Sequence, residues 1–247
     1  AGARSAEMAQ ALMQVWEAAG IAPALRQGAF NCDPIGTLAA TGTSEEPIEA
    51  ALASATALAT SVQGMPYVTA LSASGQPYHE AGASEAQELA AMLATLVAYL
   101  RAGETGGLAP AQVLAATSIG LAADTDLFLT IAKLRAARRL IARVAQACGA
   151  PGAGLSVPIA VSTSQRMMAA RDPWVNILRT TIATAGAAFG GANAITVLPF
   201  TAVIAAAAQT DLRGERTFWS SPTLVRLGAW SFAFYLVHQL VIRAVDE

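Results

Sequence analysis

Few side chains in this 247-residue sequence are of types that could act on a ligand. His79 is one of two histidines, and Tyr78 precedes it in a short polar stretch after an apolar run. Loops that follow strands form the ligand-binding end of parallel β/α proteins, which makes both residues candidates for substrate contact. A lone histidine is, however, more typical of a core or capping position. Thr163 and Ser164 also follow an apolar run, so their hydroxyls could bind a phosphate or carboxylate, with helix capping as the favoured alternative.

No arrangement of residue types indicates hydrolytic or metal chemistry. The sequence shows no Ser/His/Asp, Cys/His or paired-carboxylate pattern, and no catalytic residue is predicted. Cys32 and Cys148 lie far apart without a C-x-x-C motif, which indicates two reduced thiols in a cytoplasmic protein and no zinc site.

The distribution of charge argues against nucleic acid as a partner. The formal net charge is −2, and the sequence contains no Lys/Arg-rich run. Lys133, Arg135, Arg138 and Arg139 share one predicted helix. The favoured interpretation is a solvated helix face with packed aliphatic stems, and the alternative is a site for the phosphates of coenzyme A.

Helical and β-rich segments alternate along the first 200 residues. Strand followed by helix at a spacing of roughly 40 residues predicts parallel β/α units. The predicted helices span 4–19, 46–62, 84–101, 125–147 and 173–188, and the predicted strands span 26–30, 67–72, 117–122, 157–161 and 194–198.

Several residues predict where these helices begin and end. Ser84 with Gln87 indicates a capping box, and Asp172 before Pro173 indicates an N-cap. Gly103 and Gly149 stand where a left-handed C-terminal cap is expected.

About five β/α units are too few for a closed (β/α)8 barrel. Two architectures remain: an open doubly wound sheet, or part of a barrel from a longer protein. The sequence lacks a G-x-G-x-x-G turn, so the partial TIM-type barrel is favoured. The first residue, Ala1, is not an initiator methionine, which also suggests a fragment.

The composition changes after Phe200. Residues 195–209 and 227–242 are apolar and uncharged, and the connector between them is net basic. Each stretch is slightly shorter than the roughly 20 residues that cross a bilayer. We expect an apolar helical hairpin, with membrane association through residues 195–245 and burial in a soluble core as equal alternatives.

Four motifs carry a resemblance to a known family. RDPWVNILRTTIATAGAAFGGANAITVLPF at 171–200 resembles the barrel signature of the methylmalonyl-CoA mutase family, which comprises adenosylcobalamin-dependent acyl-CoA isomerases. PYHEAGASEAQELAAMLATLVAYLRAG at 77–103 and DLFLTIAKLRAARRLIARVAQACGA at 126–150 agree, in the family's order. GAFNCDPIGTLAATG at 28–42 is similar to the family's small subunit. Together these segments cover about 200 residues.

The resemblance implies a fold, a reaction and a division of labour. In the family, a (β/α)8 barrel threads acyl-CoA along its axis, and a separate domain holds adenosylcobalamin, which supplies the radical chemistry that interconverts methylmalonyl-CoA and succinyl-CoA. His79, with Tyr78, matches the barrel histidine that contacts the substrate carbonyl. His79 and Gly82 match half of the D-x-H-x-x-G cobalamin motif, but Pro77 stands where its aspartate belongs. The cofactor is therefore expected in the holoenzyme and not on this chain.

The sequence departs from the family's catalytic subunits at several positions. Pro158, Ala160 and Ser162 stand where the resemblance places an arginine, a histidine and a glutamine, and only Thr163 and Ser164 survive from that motif. These losses imply a non-catalytic small subunit that pairs with a large catalytic subunit around acyl-CoA. A catalytic barrel that acts with a separate cobalamin subunit is the first alternative.

The end of the chain resembles a different protein class. Residues 201–247 are similar to the last helices of integral-membrane acyltransferases, so the expected domains are a mutase-like barrel fragment at 1–200 and an acyltransferase-like tail at 201–247. The second alternative is therefore a membrane-anchored acyltransferase fragment without a mutase role.

Overall fold

A computed structural model describes residues 5–170 and 172–200. Five strands alternate with eight α-helices in this part of the chain. The strands are β1 (Gln27–Cys32), β2 (Tyr67–Ser74), β3 (Thr117–Ala123), β4 (Ile159–Thr163) and β5 (Ala194–Thr196). The helices are α1 (Ser5–Ala18), α2 (Pro34–Thr41), α3 (Ile48–Ser61), α4 (Gln76–Glu80), α5 (Glu85–Thr105), α6 (Pro110–Ala115), α7 (Leu127–Ala147) and α8 (Val175–Gly190).

The strands form one parallel sheet in the order β1-β2-β3-β4-β5. The spatial order follows the chain without a reversal, whereas a doubly wound sheet reverses direction at a switch point. The long helices contact one another in the same succession, α1 with α3, α3 with α5, α5 with α7 and α7 with α8. The sheet is therefore a half-barrel with its helices in one row, as the partial-barrel prediction required.

All five predicted helices and five predicted strands are present, with shifts at their ends. The sequence pattern did not predict α2, α4 and α6, which have only five to eight residues and therefore too little apolar periodicity to detect. Each begins with a proline in its first turn, where the missing N–H costs nothing. β5 ends at Thr196, two residues before the predicted end.

Two of the predicted helix ends are confirmed and two are wrong. Ser84 and Gln87 form the capping box of α5, and Gly149 has a φ of 74° just beyond α7. Gly103 lies inside α5, where a side chain would meet Val113 of α6 at 2.3 Å. Asp172 accepts a hydrogen bond from the N–H of Trp174 and caps only a turn, because α8 begins at Val175.

The core lies between the sheet and the helix row. Met92 and Leu96 of α5 and Leu134 of α7 are fully buried with Ile119 and Leu121 of β3. β3 is buried along its whole length. The core thus fixes α5 and α7 against the central strands, and it places the carboxyl ends of β2, β3 and β4 side by side.

Part of the predicted apolar hairpin can be compared with the structure. Its first stretch, 195–209, begins in β5, and the chain from there to Phe200 is not helical. The remainder, and with it the predicted membrane association, lies outside the described residues. Within 5–170 and 172–200, no helix has both the length and the apolar character needed to cross a bilayer.

Candidate functional site

Two of the predicted site residues meet at the carboxyl end of the sheet. α4 carries His79 just beyond β2, and Ser164 directly follows β4. His79 Nε2 lies 2.9 Å from Ser164 Oγ, and both side chains are fully buried. This contact links residues 85 positions apart in sequence.

A buried ion pair that the sequence pattern did not predict completes this site. Glu88, in the first turn of α5, accepts a hydrogen bond from the N–H of Ala122 at 2.7 Å and one from Lys133 Nζ at 2.6 Å. The side chains of Glu88 and Lys133 are 0% and 1% exposed. The prediction that Lys133 lies on a solvated face is therefore wrong. His79, Ser164, Glu88 and Lys133 together form what we call the buried polar network.

The environment of Glu88 favours its ionised form. Burial alone would raise the pKa of Glu88, but the His79 imidazole, the Lys133 ammonium and the Ala122 N–H together hold it below its usual value. A buried Lys–Glu pair of this kind is costly to break from one side. One sequence signal could have revealed it: Lys133 stands four residues before Ala137 on the buried stripe of α7.

The network has the order serine, histidine, carboxylate, which the sequence analysis did not predict. His79 Nδ1 lies 3.3 Å from Glu88 Oε2, although the N–H direction is not aligned for a hydrogen bond. Nucleophilic catalysis also needs an accessible hydroxyl and free oxyanion donors. Ser164 is fully buried, and its backbone N–H is bonded to the Ala123 carbonyl. The arrangement is therefore a closed network and not a hydrolytic site.

The other two candidate residues do not join the network. Tyr78 is half-buried at the rim of an open cavity of about 420 Å³ that is lined also by Ala81, Gly82, Ala83 and Gln87. Thr163 is buried, and its Oγ1 accepts a hydrogen bond from the N–H of Leu198 at 2.9 Å. Neither Thr163 nor Ser164 caps a helix, so the favoured capping interpretation is wrong.

The sheet face opposite the core carries small residues. On β4, Ile159 and Val161 pack into the core, while Ala160 and Ser162 alternate with them and are half-buried. Ala160 pairs with Gly120, and a Cβ on Gly120 would lie 2.9 Å from Ser74 Oγ. Closed barrels usually fill this inner face with bulky branched side chains. Ala160 and Ser162 are instead small and carry no charge.

Carboxyl and phenol groups form a second polar contact beside the first strand. Asp33 caps α2 through the N–H of Gly36, accepts a bond from Tyr99 Oη at 2.5 Å and accepts one from the N–H of Ser74 at 3.2 Å. Burial raises the pKa of Asp33 despite these hydrogen bonds, and burial beside Asp33 raises the pKa of Tyr99 as well.

The arginines of α7 differ in their environments. Arg138 donates hydrogen bonds to the carbonyl oxygens of Val157 and Gly191, next to the amino end of β4. It therefore does not lie on the predicted solvated face. Its pKa is lowered by burial. Arg135 and Arg139 are exposed, as predicted.

The described residues do not fit a cobalamin ligand. His79 would be the only candidate among them, since it shares the H-x-x-G spacing with Gly82. Its Nε2 is bonded to Ser164 and its ring is fully buried, so it cannot reach a cobalt ion without dismantling the network.

Fold and site together define a segment of a parallel β/α barrel with small residues on its inner face and a closed polar network at its carboxyl end. Comparison with protein families identifies the family to which this segment belongs. The family model for methylmalonyl-CoA mutase matches residues 1–213, and the chain belongs to this family.

Individual relatives agree with this assignment. The chain is 50% identical over 200 residues to the methylmalonyl-CoA mutase small subunit of Streptomyces virginiae, covering 81% of this chain and 32% of that protein. It is 42% identical over 124 residues to the small subunit from Propionibacterium freudenreichii subsp. shermanii, covering 50% and 19%. With the large subunit of Porphyromonas gingivalis it shares 30% over 191 residues, covering 74% and 27%. The chain thus spans about a third or less of the length of these relatives.

The family match also bears on the tail. It continues to residue 213, past the point at 200 where the sequence analysis ended the mutase resemblance. The resemblance of the tail to acyltransferases gains no support from these comparisons.

Proposed function

We propose that this chain is part of a non-catalytic small subunit of a methylmalonyl-CoA mutase. It pairs with a large catalytic subunit, which binds adenosylcobalamin and interconverts methylmalonyl-CoA and succinyl-CoA. The similarity to small subunits at 50% identity supports the assignment, and the P. gingivalis relative supports a large-subunit partner.

The observation that carries the non-catalytic role is the state of His79. A group that polarises a thioester carbonyl must present a hydrogen-bond donor to the substrate. His79 has one ring nitrogen on Ser164 and the other against Glu88, and no part of the side chain is exposed. The imidazole is therefore enclosed and presents no exposed donor to a substrate.

Residues on β4 and directly before it support the same proposal. Anchoring and orienting acyl-CoA require charged or hydrogen-bonding groups that face the axis. Pro158 is bonded through its carbonyl to the N–H of Ile119, and Ala160 has no polar side-chain atom. Ser162 contributes one hydroxyl. This face therefore supplies little that would hold the pantetheine arm of an acyl-CoA.

Purified full chain, with and without a catalytic large subunit of this family, tests the proposal. We expect no isomerisation of methylmalonyl-CoA by the chain alone, with or without adenosylcobalamin, and co-elution of the two subunits in size-exclusion chromatography. Host mutase must be absent, which a mock purification establishes. Turnover by the chain alone would favour the catalytic-barrel alternative. Failure of the two subunits to associate would refute the structural role.

A further inference from the structure

We infer that Ser164 and the Glu88–Lys133 pair hold the imidazole of His79 in one tautomer, with its proton on Nδ1 and the Ser164 hydroxyl donating to Nε2. Lys133 is then a positioning residue that acts on the imidazole through Glu88. This inference concerns the state of the buried polar network, and it holds whether or not the chain is a non-catalytic subunit.

The position of the Glu88 carboxylate decides which nitrogen carries the proton. Nδ1 lies 3.3 Å from Glu88 Oε2. A lone pair on Nδ1 would face a carboxylate oxygen at this distance, in a site without solvent, and the two would repel. A proton on Nδ1 replaces that repulsion by attraction, even though the N–H direction is imperfect.

Charged groups lie on the Glu88 side of the ring. Glu88 Oε2 already binds Lys133 Nζ at 2.6 Å, and Oε1 accepts from the N–H of Ala122. On the backbone side, Arg166 Nη1 donates to the His79 carbonyl oxygen at 2.7 Å, and Arg166 Nη2 lies 3.9 Å from Asp124 Oδ2. The Glu88 carboxylate is therefore shared between Lys133 and the ring.

A neutral ring with its proton on Nδ1 has a lone pair on Nε2. Ser164 Oγ lies 2.9 Å from that nitrogen, and the hydroxyl can rotate to donate. The hydrogen bond then runs from the loop after β4 to α4, and the Glu88–Lys133 pair extends the connection to α5 and α7. Three successive β/α units are joined through one imidazole.

Nitrogen-15 NMR of the ring gives the direct test. His238→Asn makes His79 the only histidine, so all imidazole signals come from one residue. We expect a single slowly exchanging species in the full chain, with the chemical shift of a protonated nitrogen at Nδ1 and that of an unprotonated nitrogen at Nε2. A proton on Nε2, a doubly protonated ring at neutral pH or a rapidly averaged pair of chemical shifts would overturn the inference.

Variants of the two contacts separate a fixed tautomer from general packing. Ser164→Ala removes the donor to Nε2, and Glu88→Gln removes the charge that holds the proton on Nδ1; we expect both to move the ring chemical shifts toward a tautomer mixture. Ser164→Thr retains the hydroxyl and should restore the parental chemical shifts. Glu85→Gln, in the same turn of α5, is the matched control and should leave them unchanged.

Chemical modification provides a readout that does not depend on spectral quality. Diethyl pyrocarbonate acylates an accessible imidazole, so the buried ring should react slowly in the parent and about tenfold or more faster in Ser164→Ala. Chemical shifts that are identical in parent, Ser164→Ala and Glu88→Gln would show that neither contact sets the tautomer, and would overturn the inference. If either variant does not fold, the parental NMR spectrum decides alone.

Discussion

Replacement of Lys133 by methionine should be among the most destabilising single changes in the described part of the chain. Methionine fills a similar volume but removes the ammonium that lies 2.6 Å from Glu88 Oε2. Glu88 is completely buried, so its carboxylate would lose the cation that pairs with it without gaining water. Breaking a buried pair from one side costs about 3–5 kcal/mol.

In this variant, protonation of Glu88 should offset part of the loss of folding stability. Loss of Lys133 removes contributions that lower the pKa of Glu88, so this pKa rises, and a rise of one pH unit corresponds to about 1.4 kcal/mol. The carboxylate still accepts the N–H of Ala122, which recovers some of the loss. We therefore expect a decrease near the lower limit, about 3 kcal/mol, in the free energy of unfolding at pH 7.

A second substitution distinguishes an unpaired charge from poor packing. Glu88→Gln in the Lys133→Met background removes the uncompensated charge and retains an acceptor for Ala122. This double variant should recover about half of the loss. Arg139→Met removes a positive charge at an exposed position of α7 and should alter stability by about 0.5 kcal/mol or less.

Urea unfolding followed by circular dichroism measures these differences, with all variants at equal protein concentration because association shifts the midpoint. The reasoning is refuted if Lys133→Met costs no more than Arg139→Met. It is also refuted if the double variant is less stable than Lys133→Met alone, because the cost would then arise from volume and not from charge.

Three further outcomes follow from other contacts. Tyr99→Phe should cost about 1–3 kcal/mol in urea unfolding, because Asp33 loses its 2.5 Å donor. The pKa of Asp33 is raised, so the folded chain binds this proton more tightly than the unfolded chain does. The resulting stabilisation is present below the unfolded pKa near 3.9 and is lost as pH rises through the folded pKa. The loss of stability caused by Tyr99→Phe should therefore be larger at pH 7 than at pH 4. The pKa of Glu88 is lowered, so its contribution to stability is present above the unfolded pKa near 4.3 and is lost as pH falls through the folded pKa. Glu88→Gln should therefore flatten the acid limb of a stability-versus-pH curve. Gly190→Ala should lower the thermal midpoint and cost about 1–3 kcal/mol, because its Cβ would lie 2.6 Å from Leu134 Cδ1 where α8 packs on α7.

The sequence predicted the features that depend on neighbouring residues. Alternating apolar periodicity located every long helix and every strand, and Ser84 with Gln87 marked the start of α5 correctly. The methylmalonyl-CoA mutase family was likewise recognisable from contiguous motifs.

The tertiary structure alone revealed how the polar groups pair. Glu88 and Lys133 lie 45 residues apart, and His79 and Ser164 lie 85 apart, so no local pattern joins them. Charged residues are normally solvated, which is why the sequence favours exposure of Lys133 and Arg138. Their burial is possible because Glu88 pairs with Lys133 and backbone carbonyls accept hydrogen bonds from Arg138. Strand order and register decide which side chains meet at the carboxyl end of a sheet. Local periodicity carries no information on either, which is why His79 could be identified as a candidate but its enclosure by Ser164 and Glu88 could not.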